Sequence, residues 1–337
     1  MQAEQKALQI ISAFMESEII DKSKLVTELK KNDLLVKTDD GTYTLRSTSE
    51  SELMHSRIGA LKEAFEKFAY PSGIADRKKP KLLDLCSGMG YNSLAALSCN
   101  DETEIHLVEM SRELLFLGSC LPLEIESKEM YDRAVDGFIQ NQLSGQLIFH
   151  CGDARAIIPE LPEKYFDIVF HDGFSPSNDP VLYSVEFLSL LKSRISRDGI
   201  LISYSSSIPF RKALYDAEFH IGEGPAIGRQ RGITIAAIRS DDKRLCSRIP
   251  LHDEMLMALA TVGTPFRDPG LNSSAMEIFE RRNREREVLR NSGNYLTVKK
   301  IKNDKIDPSY KKTALEAPDT RTAIGELNKI LLTNTKM

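Results

Sequence analysis

Two segments of this 337-residue sequence place reactive side chains directly after apolar runs. Residues 166–171 are an apolar run that predicts a buried strand, and Asp172 follows them with a loop rich in Gly, Pro, Ser and Asn. Residues 81–86 are an earlier apolar run, which ends in the turn Ser-Gly-Met-Gly. In an open parallel sheet, ligands bind at the carboxyl ends of strands, near the point where the strand order reverses. The two segments therefore predict a cofactor site beside a reacting centre, which indicates an enzyme.

The glycine-rich turn and two later acids are spaced as an adenosylmethionine site requires. Asp84, Gly88 and Gly90 fit the pattern D-x-x-x-G-x-G, in which glycines let the backbone approach a ligand without Cβ clashes. The next predicted strand ends in Glu109, whose carboxylate can accept hydrogen bonds from both ribose hydroxyls. Asp153 follows the third strand and can accept from the adenine amino group. A dinucleotide is disfavoured, because the third glycine of G-x-G-x-x-G is missing.

Asp172 is placed where an acid can activate an amine. An amine attacks a methyl group only as the neutral base, whereas an unperturbed alkyl ammonium has a pKa of about 10.4. A neighbouring carboxylate binds the ammonium form and accepts its proton, and burial lowers the pKa of the amine. We therefore predict Asp172 as the catalytic acid–base. In the following loop, Phe174 and Tyr183 are expected to offer aromatic faces to a flat substrate, and Pro176 to stiffen the chain.

Strands and helices alternate regularly around these segments. The predicted strands are 81–86, 104–110, 146–151, 166–171, 199–205, 218–222 and 232–239. The connection between the last two is too short for a right-handed crossover, so these two strands should pair antiparallel. We therefore expect an α/β fold of the class I adenosylmethionine-dependent methyltransferases, with a Rossmann-like, seven-stranded, mostly parallel sheet whose last strand is antiparallel.

The chain should divide into three parts. Two short amphipathic helices, 4–16 and 23–31, precede a predicted β-hairpin over 34–46. We favour a packing cap or a substrate-facing appendage for this unit over a DNA reader, because its second helix lacks a run of side chains suited to base edges. The expected parts are an N-terminal helix–helix–hairpin unit at 1–50, the methyltransferase domain at 51–250, and a helical, basic extension at 251–337.

Composition excludes several classes of protein. A net charge of −4 gives no global sign of nucleic-acid binding, so any contact with RNA must come from local basic groups. The candidates are Arg229, Arg231, Arg267 and the lysines from Lys299 onward. The five cysteines have no metal-ligand spacing, so we expect no metal and reduced thiols. No apolar run approaches the ~18 residues of a membrane span, which predicts a soluble, cytoplasmic protein.

Three segments resemble the methyltransferase domain of the MnmC family. They are Thr-Asp-Asp-Gly-Thr-Tyr-Thr-Leu at 38–45, Glu-Leu-Met-His-Ser-Arg-Ile-Gly-Ala at 52–60, and the block beginning Asp-Gly-Phe-Ser-Pro at 172–188. Members of this family complete the 5-methylaminomethyl group on the wobble uridine of tRNA. The chain is similar to the stand-alone form, which lacks the FAD-dependent oxidase half. The resemblance implies adenosylmethionine as cofactor and the anticodon region of tRNA as partner.

The resemblance also assigns roles to individual residues. Asp172 would be the catalytic acid–base; Gly88, Gly90, Glu109 and Asp153 would hold adenosylmethionine; and His55 and Gly59 would flank the cofactor pocket. Asp179 and Tyr183 depart from the family pattern, which more often has Asn and Trp at these positions. The exact substrate therefore stays open.

Two further hypotheses follow from the same residues. An aminopropyltransferase of the spermidine-synthase type, or another methyltransferase of small amines, would also activate an amine with an acidic strand-end loop. Against the aminopropyltransferase, residues 86–90 differ from the Gly-Gly-Gly-Asp/Glu-Gly loop of that family. The second hypothesis is a non-enzymatic sensor of adenosylmethionine. Loss of Asp172 separates these functions, because an enzyme would lose turnover and keep cofactor affinity, whereas a sensor would be unaffected.

Overall fold

The structure is a computed structural model that describes residues 3–17, 21–46, 58–142, 145–227 and 230–333. Its contacts group the chain into two compact units, which are described one at a time. The first comprises Met1–Ile157 and Ile168–Asp172, and the second comprises Ile158–Asp167 and Gly173–Met337.

The N-terminal segment has the predicted helices and hairpin. Its elements are α1 (Ala3–Met15), α2 (Lys22–Lys31), β1 (Leu35–Lys37) and β2 (Tyr43–Leu45), with β1 antiparallel to β2. Asp21 caps α2 by accepting a hydrogen bond from the Lys24 amide. Ile11, Leu25 and Leu45 are buried in one apolar cluster with residues that follow the first parallel strand. The hairpin therefore shares its core with the cofactor-side helices of the first unit.

The main sheet has seven strands. They are β3 (Lys81–Leu85), β4 (Glu104–Glu109), β5 (Leu147–Cys151), β6 (Phe166–His171), β7 (Ile195–Ser203), β8 (His220–Glu223) and β9 (Thr234–Ala237). Their order is β5-β4-β3-β6-β7-β9-β8, and β9 runs antiparallel to both β7 and β8. The predicted class I methyltransferase fold, with its antiparallel last strand, is confirmed.

The strand order reverses beside β3, and this places the site. From β3 the chain passes to β4 and then β5 on one side, before β6 pairs with β3 on the other. Leu83 of β3 and Val169 of β6 are fully buried neighbours, as expected for parallel strands covered on both faces. The carboxyl ends of β3 and β6 therefore meet at the switch point, where open α/β sheets bind ligands.

The helices lie between and after the strands. In the first unit they are α3 (Ala60–Glu63), a π-helical segment (Ala64–Ala69), α4 (Tyr70–Ser72), α5 (Tyr91–Cys99), α6 (Arg112–Cys120), α7 (Lys128–Ile139) and α8 (Ala154–Ile157). In the second they are α9 (Val185–Arg194), α10 (Ile208–Asp216), α11 (Leu251–Leu259), α12 (Ala275–Asn291), α13 (Val298–Lys302), α14 (Pro308–Glu316) and α15 (Thr320–Thr333). Among the described residues, no helix is long and apolar enough to cross a membrane.

Candidate active site

The turn between β3 and α5 has the geometry of a ligand-binding loop. Gly88 and Gly90 both have positive φ, at 51° and 79°. A Cβ on Gly90 would lie 2.1 Å from the Tyr131 hydroxyl oxygen, so side-chain packing behind the loop requires this glycine. A Cβ on Gly88 would meet nothing closer than the Cys86 carbonyl oxygen, 3.9 Å away. The backbone at Gly88 therefore borders open space in which a ligand can approach.

Glu109, at the carboxyl end of β4, lies against this loop. Its Oε2 accepts a hydrogen bond from the Gly88 amide (2.9 Å), and its Oε1 accepts one from the Ser111 amide (3.0 Å). Burial raises the pKa of Glu109, and the two amide hydrogen bonds oppose that shift. Each carboxylate oxygen has a second lone pair, so the carboxylate can still accept hydrogen bonds from a ribose diol.

Asp84, one of the residues predicted to hold the cofactor, lies behind the loop. The side chain is fully buried in β3, and its Oδ2 accepts a hydrogen bond from the Ser93 hydroxyl (2.6 Å). Its Oδ1 has no hydrogen-bond partner among the described residues. Burial raises the pKa of Asp84 to about 7, and the charges of Asp172 and Glu109 add to the shift. The side chain of Asp84 faces the interior and supports the loop from within, and a contact with the cofactor stays a prediction.

The buried carboxyl of Asp84 predicts a pH-dependent stability. Because its folded pKa of about 7 exceeds its ordinary value of 3.8, the folded protein keeps a proton that the unfolded chain releases. Its contribution is therefore complete below about pH 4 and is lost as the pH rises through about 7. Relative to wild type, Asp84→Asn should gain about 2–3 kcal/mol of unfolding free energy between pH 5 and pH 8. Urea unfolding at both pH values measures this. An equal difference at both, as expected for exposed Asp101→Asn, would contradict it.

Asp153, the acid predicted to accept a hydrogen bond from the adenine amino group, is paired with Arg155. It follows β5, and its carboxylate accepts hydrogen bonds from the Arg155 amide (2.8 Å) and guanidinium (2.8 Å). Burial alone would raise the pKa of Asp153, but the bonds from Arg155 outweigh it and hold the pKa below its ordinary value. Asp153 is therefore an ionised hydrogen-bond acceptor just after the carboxyl end of β5, the strand that pairs with β4.

The two residues assigned to the rim of the pocket have different outcomes. His55 lies outside the described residues. Gly59 has a φ of 133°, and a Cβ there would lie 2.0 Å from the Asp40 side-chain carbon Cγ. Asp40 also accepts a hydrogen bond from the Lys62 amide in the first turn of α3 (2.9 Å). The hairpin turn thus explains the glycine at position 59, and a role in the cofactor pocket stays a prediction.

Asp172 lies directly after β6, close to the start of α5. Its amide donates to the Leu85 carbonyl oxygen (3.3 Å), and its Oδ2 accepts a hydrogen bond from the Asn92 side chain (2.8 Å). Burial raises the pKa of Asp172 to about 6, the Asn92 bond opposes the shift, and the charge of Glu63 adds to it. A carboxylate with this pKa is ionised at neutral pH, yet it is a stronger base than an ordinary aspartate.

Sequence reasoning missed two features around Asp172. One is Asn92, a buried polar residue in the first turn of α5. The other is the ion pair between Glu63 and Lys67, whose charges act on Asp172 with opposite signs. The i,i+4 spacing of this pair and the polar residue after the glycine loop were visible signals. Their relevance depends on β6 ending beside α5, which only the fold reveals.

The loop after Asp172 belongs to the second unit and corrects one expectation. Phe174 is 48% exposed, so its ring is accessible, whereas Pro176 is buried. Tyr183 is only 1% exposed, and its ring packs edge-to-face on Phe210 at 5.0 Å. Its hydroxyl donates to the Gly173 carbonyl oxygen (3.2 Å). The prediction that Tyr183 offers an aromatic face to a substrate is therefore wrong; its ring fills the core and holds the loop.

The predicted pair of arginines is described at one position only. Arg229 lies outside the described residues. Arg231 is 42% exposed and pairs through its guanidinium with Asp253, which is itself buried beside the buried Arg211. Arg231 also donates to the Ser206 carbonyl oxygen (3.3 Å). The prediction treated Arg231 as a solvated or phosphate-binding cation, but much of its charge already compensates a buried carboxylate.

Comparisons with known proteins agree with this geometry. A family model described as S-adenosyl-L-methionine-dependent methyltransferase matches residues 128–239. Uncharacterized protein MJ0670 of Methanocaldococcus jannaschii is 43% identical over 317 residues, covering 89% of this chain and 88% of that protein. The crystal structure of MnmC2 from Aquifex aeolicus superposes with a TM-score of 0.60 and 27% identity, covering 84% of this chain and 98% of that one.

A longer relative matches over part of its length. The tRNA 5-methylaminomethyl-2-thiouridine biosynthesis bifunctional protein MnmC of Azoarcus sp. is 26% identical over 215 residues, which are 57% of this chain and 33% of that protein. The matched segment is thus about a third of the bifunctional protein. Fold, site and matches together define an adenosylmethionine-dependent methyltransferase. The chain belongs to one family with the Methanocaldococcus protein, and its fold and matches are those of an MnmC-like methyltransferase domain.

The residues of the site fit adenosylmethionine. The ligand has a ribose diol and an adenine amino group, both of which donate hydrogen bonds. Glu109 and Asp153 offer carboxylate acceptors at the ends of the paired strands β4 and β5. Gly88 leaves the open space that the ligand needs beside the loop.

Removing the carboxylate of Glu109 should weaken cofactor binding. A hydrogen bond to a charged group contributes about 1.5–3 kcal/mol, so Glu109→Ala should raise the dissociation constant of adenosylmethionine by roughly 10–150-fold. Titration calorimetry measures this directly. Glu104→Ala is the matched control, since it removes a carboxylate from the opposite end of the same strand and should leave the affinity unchanged. Unchanged affinity in Glu109→Ala would remove the residue from the site.

Proposed function

We propose that this methyltransferase converts the 5-aminomethyl group of the tRNA wobble uridine to 5-methylaminomethyl. The observation that carries the proposal is the position of Asp172, which is tied to the first turn after the cofactor loop by its bond to Asn92. A basic carboxylate beside a cofactor loop suits an amine substrate better than a hydroxyl, whose proton is far harder to remove. The similarity to MnmC and MnmC2 supports the choice of the tRNA amine.

In the proposed reaction, Asp172 holds and deprotonates the substrate. Its carboxylate pairs with the incoming ammonium group and accepts one proton, which leaves a neutral amine with a free lone pair. When bound, adenosylmethionine supplies an electrophilic methyl group. After methyl transfer the positive charge would lie on the substrate nitrogen, and the Asp172 carboxyl, which holds the proton taken from the ammonium group, would return that proton to solvent. The raised pKa of Asp172, about 6, makes the first transfer easier than it would be with an ordinary aspartate.

Basic groups of the second unit are proposed to hold the tRNA backbone. Lys299, Lys300 and Lys302 are exposed on or beside the short helix α13. Arg267 pairs with Glu186 (2.7 Å), so part of its charge is already compensated. The lysines of α13 are therefore better candidates for phosphate contacts than Arg267 or Arg231. A tRNA substrate also places the protein in the cytoplasm, which we include in the proposal.

The alternative substrate is a small amine. An aminopropyltransferase of the spermidine-synthase type, or a methyltransferase of small amines, would accept a polyamine precursor such as putrescine. Two incubations separate these functions: methyl-labelled adenosylmethionine with either tRNA or putrescine, and decarboxylated adenosylmethionine with putrescine. The proposal predicts label in the tRNA fraction alone. Label in putrescine, or an aminopropyl product from decarboxylated adenosylmethionine, would reject it.

A further inference from the structure

We propose that Asn92 is a positioning residue for this reaction, whose carboxamide orients the carboxylate of Asp172 toward the substrate amine. The inference rests on the proposed function for the identity of the amine. Its geometric basis does not depend on that identity, because it concerns one hydrogen bond between two groups of the first unit.

Asp172 is held at two points, one on its backbone and one on its carboxylate. Its backbone amide is fixed to β3 by the bond to the Leu85 carbonyl oxygen, and its Oδ2 accepts from Asn92 Nδ2 at 2.8 Å. Asn92 is only 6% exposed, so its carboxamide cannot turn freely toward solvent. Among the described residues, Oδ1 of Asp172 accepts no hydrogen bond. The second oxygen is therefore left to meet an ammonium group.

The bond also links Asp172 to the cofactor loop. Asn92 is the second residue of α5, which begins directly after Gly90. The next residue, Ser93, donates a hydrogen bond to Oδ2 of Asp84. The first turn of α5 therefore donates hydrogen bonds both to Asp84 of β3 and to Asp172 at the end of β6. Asn92 thus ties the reacting carboxylate to the helix that begins at the cofactor loop.

An amide suits this position because the surroundings are already charged. The charged groups that act on Asp172 among the described residues are Glu63 of α3, Lys67 of the π-helical segment and Asp84 of β3. Glu63 and Lys67 pair with each other, so their charges largely offset. Asn92 stabilises the ionised form of Asp172 through a donated hydrogen bond without adding a charge. Replacing it with Asp would place a carboxylate beside a carboxylate.

The first test is the titration of Asp172 itself. In the free enzyme, carbon NMR of labelled aspartate side chains should show the Asp172 carboxyl titrating about one pH unit higher in Asn92→Ala than in wild type. Asn92→Asp keeps the shape of the side chain and should move the titration further in the same direction. Ser98→Ala removes another hydrogen-bonding side chain from α5, whose partners are Leu94 and Ser127, and should leave the titration in place. An unmoved titration in both Asn92 variants would overturn the proposal.

The second test is kinetic. Asn92→Ala should lower kcat by about 10–100-fold, since misplacing a reacting group costs rates of this order, and should change adenosylmethionine affinity little. The acid limb of the plot of kcat/KM against pH should shift to higher pH by the same amount as the titration of Asp172 measured by NMR. In an Asp172→Asn background, Asn92→Ala should cost nothing further, because the two residues act as a unit. An equal loss in both backgrounds would show that Asn92 acts elsewhere.

The two tests also separate this inference from the proposed function. If wild type methylates no tRNA but the Asp172 titration moves in both Asn92 variants, the proposed substrate is wrong and the positioning role stands. If wild type methylates tRNA but the titration and acid limb stay in place, the substrate is right and the positioning role is wrong.

Discussion

Asp172→Asn is expected to slow methyl transfer by about 10²–10⁴-fold at neutral pH, the range that a positioned acid–base contributes. The amide can still accept the hydrogen bond from Asn92 through its oxygen, so the fold and the cofactor affinity should be nearly unchanged. It cannot take a proton from the substrate ammonium. The loss should therefore lessen as the pH rises and more of the substrate amine becomes neutral in solution. Single-turnover rates with saturating adenosylmethionine measure the chemical step directly.

The same residue sets the acid limb of the wild-type pH profile. With a pKa of about 6, Asp172 is ionised above this pH, and kcat/KM should fall as the pH drops through it and the carboxylate becomes protonated. This limb should be missing in Asp172→Asn. Asp179→Asn makes the same chemical change in the loop that follows, where the Asp179 carboxylate accepts a hydrogen bond from the Val181 amide, and should keep near-wild-type turnover. Wild-type turnover in Asp172→Asn at neutral pH would end its assignment as the catalytic residue.

The second large effect concerns the size of the substrate. A free 5-aminomethyluridine nucleoside should react with a kcat/KM lower than that of tRNA by roughly a thousandfold or more, equivalent to about 4 kcal/mol of remote binding energy. The reason is that contacts distant from the amine position it against the cofactor. Competition between the two substrates in one reaction measures the ratio. Equal efficiency on the nucleoside would instead indicate a small-molecule transferase.

Salt dependence identifies the groups that supply this remote binding. If Lys299 and Lys300 bind phosphates, replacing both with Gln should flatten the plot of log affinity against log salt by roughly one unit for each phosphate that a lysine no longer neutralises. Lys164→Gln is the matched control, since this exposed lysine precedes β6, at the opposite end of the strand from Asp172. A slope unchanged by the double replacement would place the tRNA-binding groups elsewhere in the chain.

The parts of the site that follow from strand ends were accessible from sequence. Gly88, Glu109 and Asp172 each lie at the end of an apolar run or within three residues of it, and parallel strands bring their carboxyl ends to one edge of the sheet. Position along the chain was then enough to place them around one turn. The hydrogen bond from the Gly88 amide to Glu109 and the bond from Asn92 to Asp172 show how short the resulting distances are.

Sequence was least informative about side chains whose role depends on what packs against them. Asp84 has the right spacing for a ligand, but its side chain faces the core, where Ser93 holds it. Tyr183 has the right chemistry for stacking, yet Phe210 covers its ring. Arg231 has the right charge for phosphate, but it already pairs with Asp253, 22 residues later in the chain. These contacts depend on how the elements pack, and spacing along the chain carries no information about them.

The most direct measurement of the proposed function is the mass of one nucleoside. tRNA that carries 5-aminomethyl groups at the wobble position is incubated with the protein and methyl-labelled adenosylmethionine, digested to nucleosides and separated by mass. We expect the wobble uridine to gain one labelled methyl group on its side-chain nitrogen, and Asp172→Asn to abolish most of this gain. Label on a different nucleoside, or an unchanged wobble uridine with an active, cofactor-binding protein, would contradict it.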